Sequence, residues 1–126
     1  MKRFRTTGCT ISFRGDGIVV VSYDEGLEVT KEIVEEVEEI YKKHITYPTG
    51  ILVDKKNHYN INHEAMIATA SITKKISFIK CFAILVHSMV SEMAAQSQKT
   101  YNFNMEVFTE IDKAIEWIRE QVKKSR

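Results

Sequence analysis

The last quarter of the chain constrains the fold most, because a short apolar stretch leads directly into an amphipathic segment. Val107 and Phe108 end a strand-like pattern, and Thr109 with Asp112 three residues later has the spacing of a helix N-terminal cap. Beyond this cap, apolar residues recur at helical spacing through Ile118. A strand that leads into a capped helix at the end of a chain indicates an α/β protein.

Length and composition limit the class of protein. A chain of 126 residues is expected to form one domain, residues 1–126, with no need for a disulfide or a metal to hold it together. A net charge of +1 gives no electrostatic reason to expect a nucleic-acid partner. Cys9 and Cys81 form no C-x-x-C motif and follow no secretory signal, which predicts reduced thiols and a cytoplasmic location. The longest uncharged apolar run, 81–86, is far shorter than the roughly 18 residues of a membrane span, so no membrane insertion is expected.

Periodicity predicts five strands and four helices in the order β-β-α-β-α-β-α-β-α. This order favours a single mostly parallel five-stranded sheet that opens with an antiparallel hairpin. The basic start, residues 2–5, is interpreted as a solvated tail, with an arm for an acidic partner as the alternative. The predicted strands are 9–14, 17–23, 50–54, 81–86 and 105–108. The first predicted helix begins after Thr30 and the second runs from Asn62 to about Ser77. The third predicted helix includes residues 89–94, and the fourth runs from Thr109 to Val122.

The element order, the apolar strand Gly50-Ile51-Leu52-Val53 ending in Asp54, and the strand-cap-helix tail resemble the STAS superfamily. This superfamily is typified by bacterial anti-sigma-factor antagonists with the SpoIIAA-like fold, and the lipid-binding CRAL-TRIO domains are its structural relatives. The resemblance covers nearly the whole chain and implies a partner-binding module in regulation.

One family feature is missing from this chain. Regulatory STAS domains carry a phosphorylatable serine at the start of the second helix, whereas residues 59–64 here read Tyr-Asn-Ile-Asn-His-Glu. A phosphate at a helix N-terminus is favoured by the helix dipole and free amides, but this segment offers no serine or threonine hydroxyl. We therefore expect no phosphorylation switch at this position.

Polar residues gather where the predicted parallel strands end, which is the edge at which α/β sheets bind ligands. Lys55 also lies at this edge. The histidine imidazoles and the one carboxylate of the edge are ligands suited to zinc. The histidine spacing matches no standard metal motif, so we expect structural histidines and no metal site. The candidate partner-binding or ligand-binding residues are Asp54, Lys56, His58, Tyr59, Asn62, His63, His87 and Ser88.

No enzyme motif accompanies these residues. Ser88 lies next to His87 without a G-x-S-x-G elbow, the glycines form no phosphate loop, and the cysteines have no neighbouring base. The favoured function is a non-enzymatic, regulatory protein-interaction module without a cofactor. Two alternatives are a small-molecule or lipid carrier of CRAL-TRIO type and a metal-dependent enzyme that uses His58, His63 and His87.

The apolar strands also predict self-association. Runs such as 18–21 and 81–86 are apolar at successive positions, and successive strand residues point to opposite faces of a sheet. Helices on one side only would leave an apolar face open, which a two-fold homodimer would cover. The alternative is that the helix from Thr109 to Val122 crosses over and covers this face within one chain.

Overall fold

The computed structural model describes residues 2–124, which form eight strands, four α-helices and a short 3-10 helix. The four predicted helices are confirmed. The strands are β1 (Lys2–Thr6), β2 (Cys9–Phe13), β3 (Ile18–Tyr23), β4 (Glu28–Val29), β5 (Thr49–Lys55), β6 (Asn60–Ile61), β7 (Ile79–Val86) and β8 (Met105–Phe108). The helices are α1 (Lys31–His44), α2 (His63–Lys75), α3 (Met89–Ser97), the 3-10 helix (Gln98–Tyr101) and α4 (Ile111–Lys124).

The main sheet has six strands in the order β1-β2-β3-β5-β7-β8, one more than the sequence predicts. Strands β1 to β3 are antiparallel, and the pairs from β3 to β8 are parallel. The additional strand is β1, so the interpretation of residues 2–5 as a tail is wrong. Its only large apolar side chain is Phe4, and it lies at the sheet edge, where basic residues discourage pairing with other chains.

Helix caps agree with the sequence at two of three positions. The side chain of Thr30 accepts a hydrogen bond from the Ile33 N–H, and that of Asn62 accepts one from the Ala65 N–H. The third predicted cap, Thr109, does not directly precede the helix. Helix α4 begins at Ile111, and its first turn is closed by a hydrogen bond from the Ala114 N–H to the Glu110 carbonyl.

A second, two-stranded sheet ties the loops together at the carboxyl edge of the main sheet. Strand β4 follows β3 and pairs in parallel with β6, which follows β5, so that Val29 lies opposite Ile61. Val29 is fully buried. This short sheet holds the loop after β3 beside the loop after β5 and thereby shapes the candidate site.

The helices cover both faces of the main sheet. One core contains side chains from α1, α2 and α3 together with Ile51 and Phe82. The second core contains Ala114, Ile118 and Val122 of α4, packed on neighbouring strand residues that point the other way. The expectation that one apolar face is left open is therefore wrong, because α4 covers it. The sequence-based reason for a dimer disappears with it, while the oligomeric state itself stays a prediction.

Candidate functional site

The carboxyl edge brings Asp54 and His87 together. Strands β5 and β7 are neighbours, as expected, with Asp54 opposite Leu85 in register. The Nε2 atom of His87 lies 2.7 Å from Oδ1 of Asp54, and both side chains are partly exposed. A His-Asp pair can orient an imidazole for base catalysis, but within residues 2–124 no serine, threonine or cysteine side chain forms a hydrogen bond with this pair. The nearby Ser88 hydroxyl instead accepts a hydrogen bond from the Ser91 N–H and caps α3.

The three predicted histidines do not converge. Nδ1 of His63 lies 2.6 Å from the Tyr101 hydroxyl on the 3-10 helix, away from the Asp54–His87 pair. The backbone N–H of His58 donates to the Glu25 carboxylate at 3.1 Å. Within residues 2–124, no three His, Cys, Asp or Glu side chains are grouped closely enough to hold a metal ion. The absence of metal binding stays a prediction.

The sheet divides the remaining candidates between two sides. Lys56 lies with Asp54 in an open groove beside Arg3 and Ser12, on the face that carries α4. Lys55 points to the opposite face, where α1 to α3 pack. Asn62 is held by its role as the α2 cap. The predicted residues therefore do not form one site.

Tyr59 and Lys55 pack against each other on the helix-covered side. The ring of Tyr59 meets that of Tyr23 edge to face with centroids 5.0 Å apart, and Nζ of Lys55 lies 4.4 Å from the Tyr59 ring centroid. Lys55 is only 8% exposed, and burial lowers the pKa of its ammonium. Burial also raises the pKa of the Tyr59 hydroxyl well above its usual value.

The selection of Lys56 over Lys55 missed the more enclosed lysine. The signal was present in the alternation of β5, because Lys55 shares its face with Ile51 and Val53, which pack in the core under α1 to α3. Because Lys55 continues the alternation of Ile51 and Val53, its side chain points towards the helices on that face. Lys55 is therefore largely buried and lines an open cleft, whereas Lys56 is exposed.

This cleft has a volume of about 390 Å³ and opens at the carboxyl edge of the sheet. Its floor and one wall come from the segment after β5, with Lys55 and Tyr59. The opposite wall comes from α3, with Val90, Ser91 and Ala94. The loop before β4 closes one end.

A separate apolar cavity lies between the sheet and the helices, lined by side chains that include Tyr41, Ile72 and Phe103. Its volume is about 30 Å³, enough for one or two water molecules. A lipid of CRAL-TRIO type would need a far larger space, which requires α2 and the 3-10 helix to move away from the sheet. No observation therefore favours the lipid-carrier alternative.

Helix α3 carries the most exposed apolar surface. Met89, Val90 and Met93 are 77%, 76% and 70% exposed, while Ala95 anchors the helix to the core. Residues three and four apart on a helix are surface neighbours, so Met89, Val90 and Met93 form one apolar surface at the carboxyl edge. From the sequence, Met89 and Met93 are more simply interpreted as core residues than as a binding surface, and their exposure shows that the core interpretation is wrong for these two.

The thiols offer no reactive centre on either face of the sheet. Cys9 and Cys81 are both free and fully buried. Desolvation raises the pKa of each thiol to about 12, which keeps both protonated near neutral pH.

The fold is shared with a solved structure, that of an uncharacterized protein from the DUF3478 family with a SpoIIAA-like fold from Shewanella loihica PV-4. The two chains are 15% identical, and their alignment covers 88% of this chain and 93% of the other with a TM-score of 0.62. The protein is therefore a domain of SpoIIAA-like fold, as the sequence resemblance predicts.

The family is defined by a match over most of the chain. The model of DUF7793, a domain of unknown function, matches residues 11–122, and the protein belongs to this family. No protein of curated function matches the chain. No helix in residues 2–124 is both long and apolar enough to cross a membrane.

Proposed function

We propose that this domain is a non-enzymatic, regulatory protein-interaction module that binds its partner through the exposed apolar face of α3. The observation that carries the proposal is the exposure of Met89, Val90 and Met93, each at least 70%. Single exposed apolar residues are ordinary, but a contiguous group on one helix is characteristic of an interaction surface. The partner is expected to present apolar side chains of its own, since burying this group against another apolar surface removes both from water.

The side chains of this surface suit a binding role. Methionine is flexible and polarisable, so that Met89 and Met93 can adapt to the shape of a partner. The helix is held in place beneath them, since Ser88 caps its first turn and Ala95 is fully buried. A fixed helix with adaptable apolar side chains loses little backbone entropy on binding.

The proposal that the domain lacks catalysis rests on the groups available at the carboxyl edge. In the described residues 2–124 no nucleophilic side chain forms a hydrogen bond with the Asp54–His87 pair, and both cysteines are buried with a raised thiol pKa. Control of binding is not expected to follow the STAS phosphorylation switch, because residues 59–64 carry no serine or threonine.

A site-specific photocrosslinker tests the docking surface by capturing whichever protein binds there. We would place p-benzoylphenylalanine at Met93 and, as a matched control, at Ile67, an apolar side chain on α2 that is 51% exposed. Irradiation in the host cell followed by mass spectrometry should give one protein adduct from position 93 and none from position 67.

The captured protein then has to bind in purified form. Met93→Glu should weaken its affinity at least about tenfold, as expected for a residue central to an interface, whereas Ile67→Glu should leave it nearly unchanged. Equal crosslinking from both positions, or equal effects of both substitutions, would contradict the proposal. Crosslinks between two copies of the chain alone would assign the surface to self-association instead.

A further inference from the structure

Lys55 is a largely buried lysine without a counter-ion, and its ammonium reaches solvent only through the cleft. Its side chain is 8% exposed, and its ammonium contacts the Tyr59 ring at 4.4 Å. Among residues 2–124, no carboxylate forms an ion pair with it and no acceptor receives its hydrogen bonds. A cation–π contact offsets only part of the cost of withdrawing an ammonium from most of its water. The site is therefore electrostatically incomplete.

Two other polar side chains of the cleft, those of Asn57 and Glu25, are engaged by the protein itself. Asn57 donates its side-chain amide to the Tyr23 carbonyl at 3.0 Å, and the Glu25 carboxylate accepts from the His58 N–H. These bonds hold the loops around the cleft in place. They leave the Lys55 ammonium as the positive charge without a protein partner in this space.

The walls of the cleft add two further properties. The Tyr59 ring, Val90 and Ala94 supply apolar surface, and the Ser91 hydroxyl lies in the first turn of α3. The positive end of a helix dipole favours an anion near that turn. A cleft of about 390 Å³ that combines apolar wall residues with one unpaired cation has features of a small-molecule site.

We propose that this cleft binds a small organic carboxylate, whose charged group pairs with Lys55 and whose apolar body lies between Tyr59 and α3. A monoanion matches the one available cation. A phosphate dianion is disfavoured, since it needs more donors than one ammonium supplies and its second charge adds to the repulsion from the Glu25 carboxylate in the same cleft. Ligand binding here does not require a protein partner on α3, although Val90 belongs to both the cleft and the α3 surface.

Benzoate is the probe for this site, because it joins a carboxylate to a rigid apolar ring. In a ¹⁵N–¹H NMR titration of the wild-type protein, benzoate should shift the amide signals around the cleft, with a dissociation constant of about 1 mM, typical of so small a ligand. Inorganic phosphate should bind at least about tenfold more weakly, as expected if one ammonium is the main donor.

Two neighbouring lysines provide matched variants. Lys55→Met should weaken benzoate binding at least about tenfold, whereas Lys56→Met removes the same charge from the other face and should leave it unchanged. Lys55→Met should fold normally, since replacing an uncompensated buried charge by an apolar side chain of similar length does not destabilise a core. Dispersed NMR spectra would verify the fold.

A second measurement needs no variant. Under reductive methylation of the wild-type protein, benzoate should slow the modification of Lys55, read by peptide mass spectrometry, and leave that of Lys56 unchanged. The proposal is overturned by any of three results: no benzoate binding in the millimolar range, equal binding by the Lys55→Met variant, or phosphate binding as tight as that of benzoate.

Discussion

The substitution Gly50→Ala provides a direct test of how α4 packs on the sheet. Gly50 lies in β5 at the centre of the main sheet, and a methyl group there would lie 3.0 Å from the Cys81 sulfur and closer still to Cγ2 of Ile118. Ile118 is fully buried on α4. The absence of a side chain at position 50 is thus what allows α4 to approach the sheet.

The magnitude follows from two opposing effects. Alanine is better than glycine in a strand by about 0.5–1 kcal/mol, because it restricts the unfolded chain. An additional methyl group in a close-packed core costs about 1–3 kcal/mol. We expect the clash to dominate and Gly50→Ala to lower the free energy of unfolding by about 1–2 kcal/mol.

A double-mutant cycle separates this clash from other causes. Ile118→Ala alone should cost about 2–5 kcal/mol, since it leaves a cavity. In the double variant the new methyl group enters that cavity, so the two losses should fall short of additivity by about 1–3 kcal/mol. Gly50→Ala combined with Ile111→Ala, on a half-exposed residue of the same helix, should be additive within about 0.5 kcal/mol.

Urea unfolding measures these values, with Trp117 on α4 as the fluorescent reporter. Its ring lies 5.6 Å from that of Phe108, so detachment of α4 should change its emission. Far-UV circular dichroism should give the same midpoints if unfolding is two-state. An unchanged or raised stability of Gly50→Ala, or strict additivity with Ile118→Ala, would refute the packing of α4 on β5.

Three further predictions concern chemistry. Incubation with kinases of the host, followed by mass spectrometry, should show no stoichiometric phosphate within residues 59–64, because this segment has no serine or threonine and the Tyr59 ring packs on Tyr23. Dialysis against zinc and elemental analysis should show no tightly bound metal, and His87→Ala should leave weak zinc uptake unchanged; about one zinc per chain would contradict this. Cys9 and Cys81 should react with a disulfide reagent at pH 8 only as fast as the protein opens, since burial raises the pKa of both thiols to about 12; labelling at the rate of the unfolded chain would contradict it.

Much of the secondary structure could be predicted from local pattern. The apolar run that became β7 and the helical spacing within α1 and α4 follow from which positions need to share a face. The caps at Thr30 and Asn62 follow from the chemistry of a single side chain. These features depend on residues only a few positions apart, and this is why the sequence alone was sufficient for them.

Strand β1 shows the limit of local pattern. Its residues have weak apolar alternation. It becomes a strand because Phe4 pairs with Ile11 on the neighbouring strand β2 and its ring packs against that of Phe13. That pairing is a property of the assembled sheet. The same limit applies to the candidate site. The ends of β5 and β7 were correctly expected to be neighbours, but the local pattern was not used to assign their side chains to the two faces of the sheet.

The sequence by itself determined that both faces of the sheet are apolar. Only the tertiary structure decided that α4 crosses to the second face and that Lys55 is the enclosed lysine. The physical reason is that alternation sets which residues share a face, whereas the element that covers the face is selected by long-range packing. In this protein that selection depends on Gly50, where the missing side chain lets Ile118 reach the sheet.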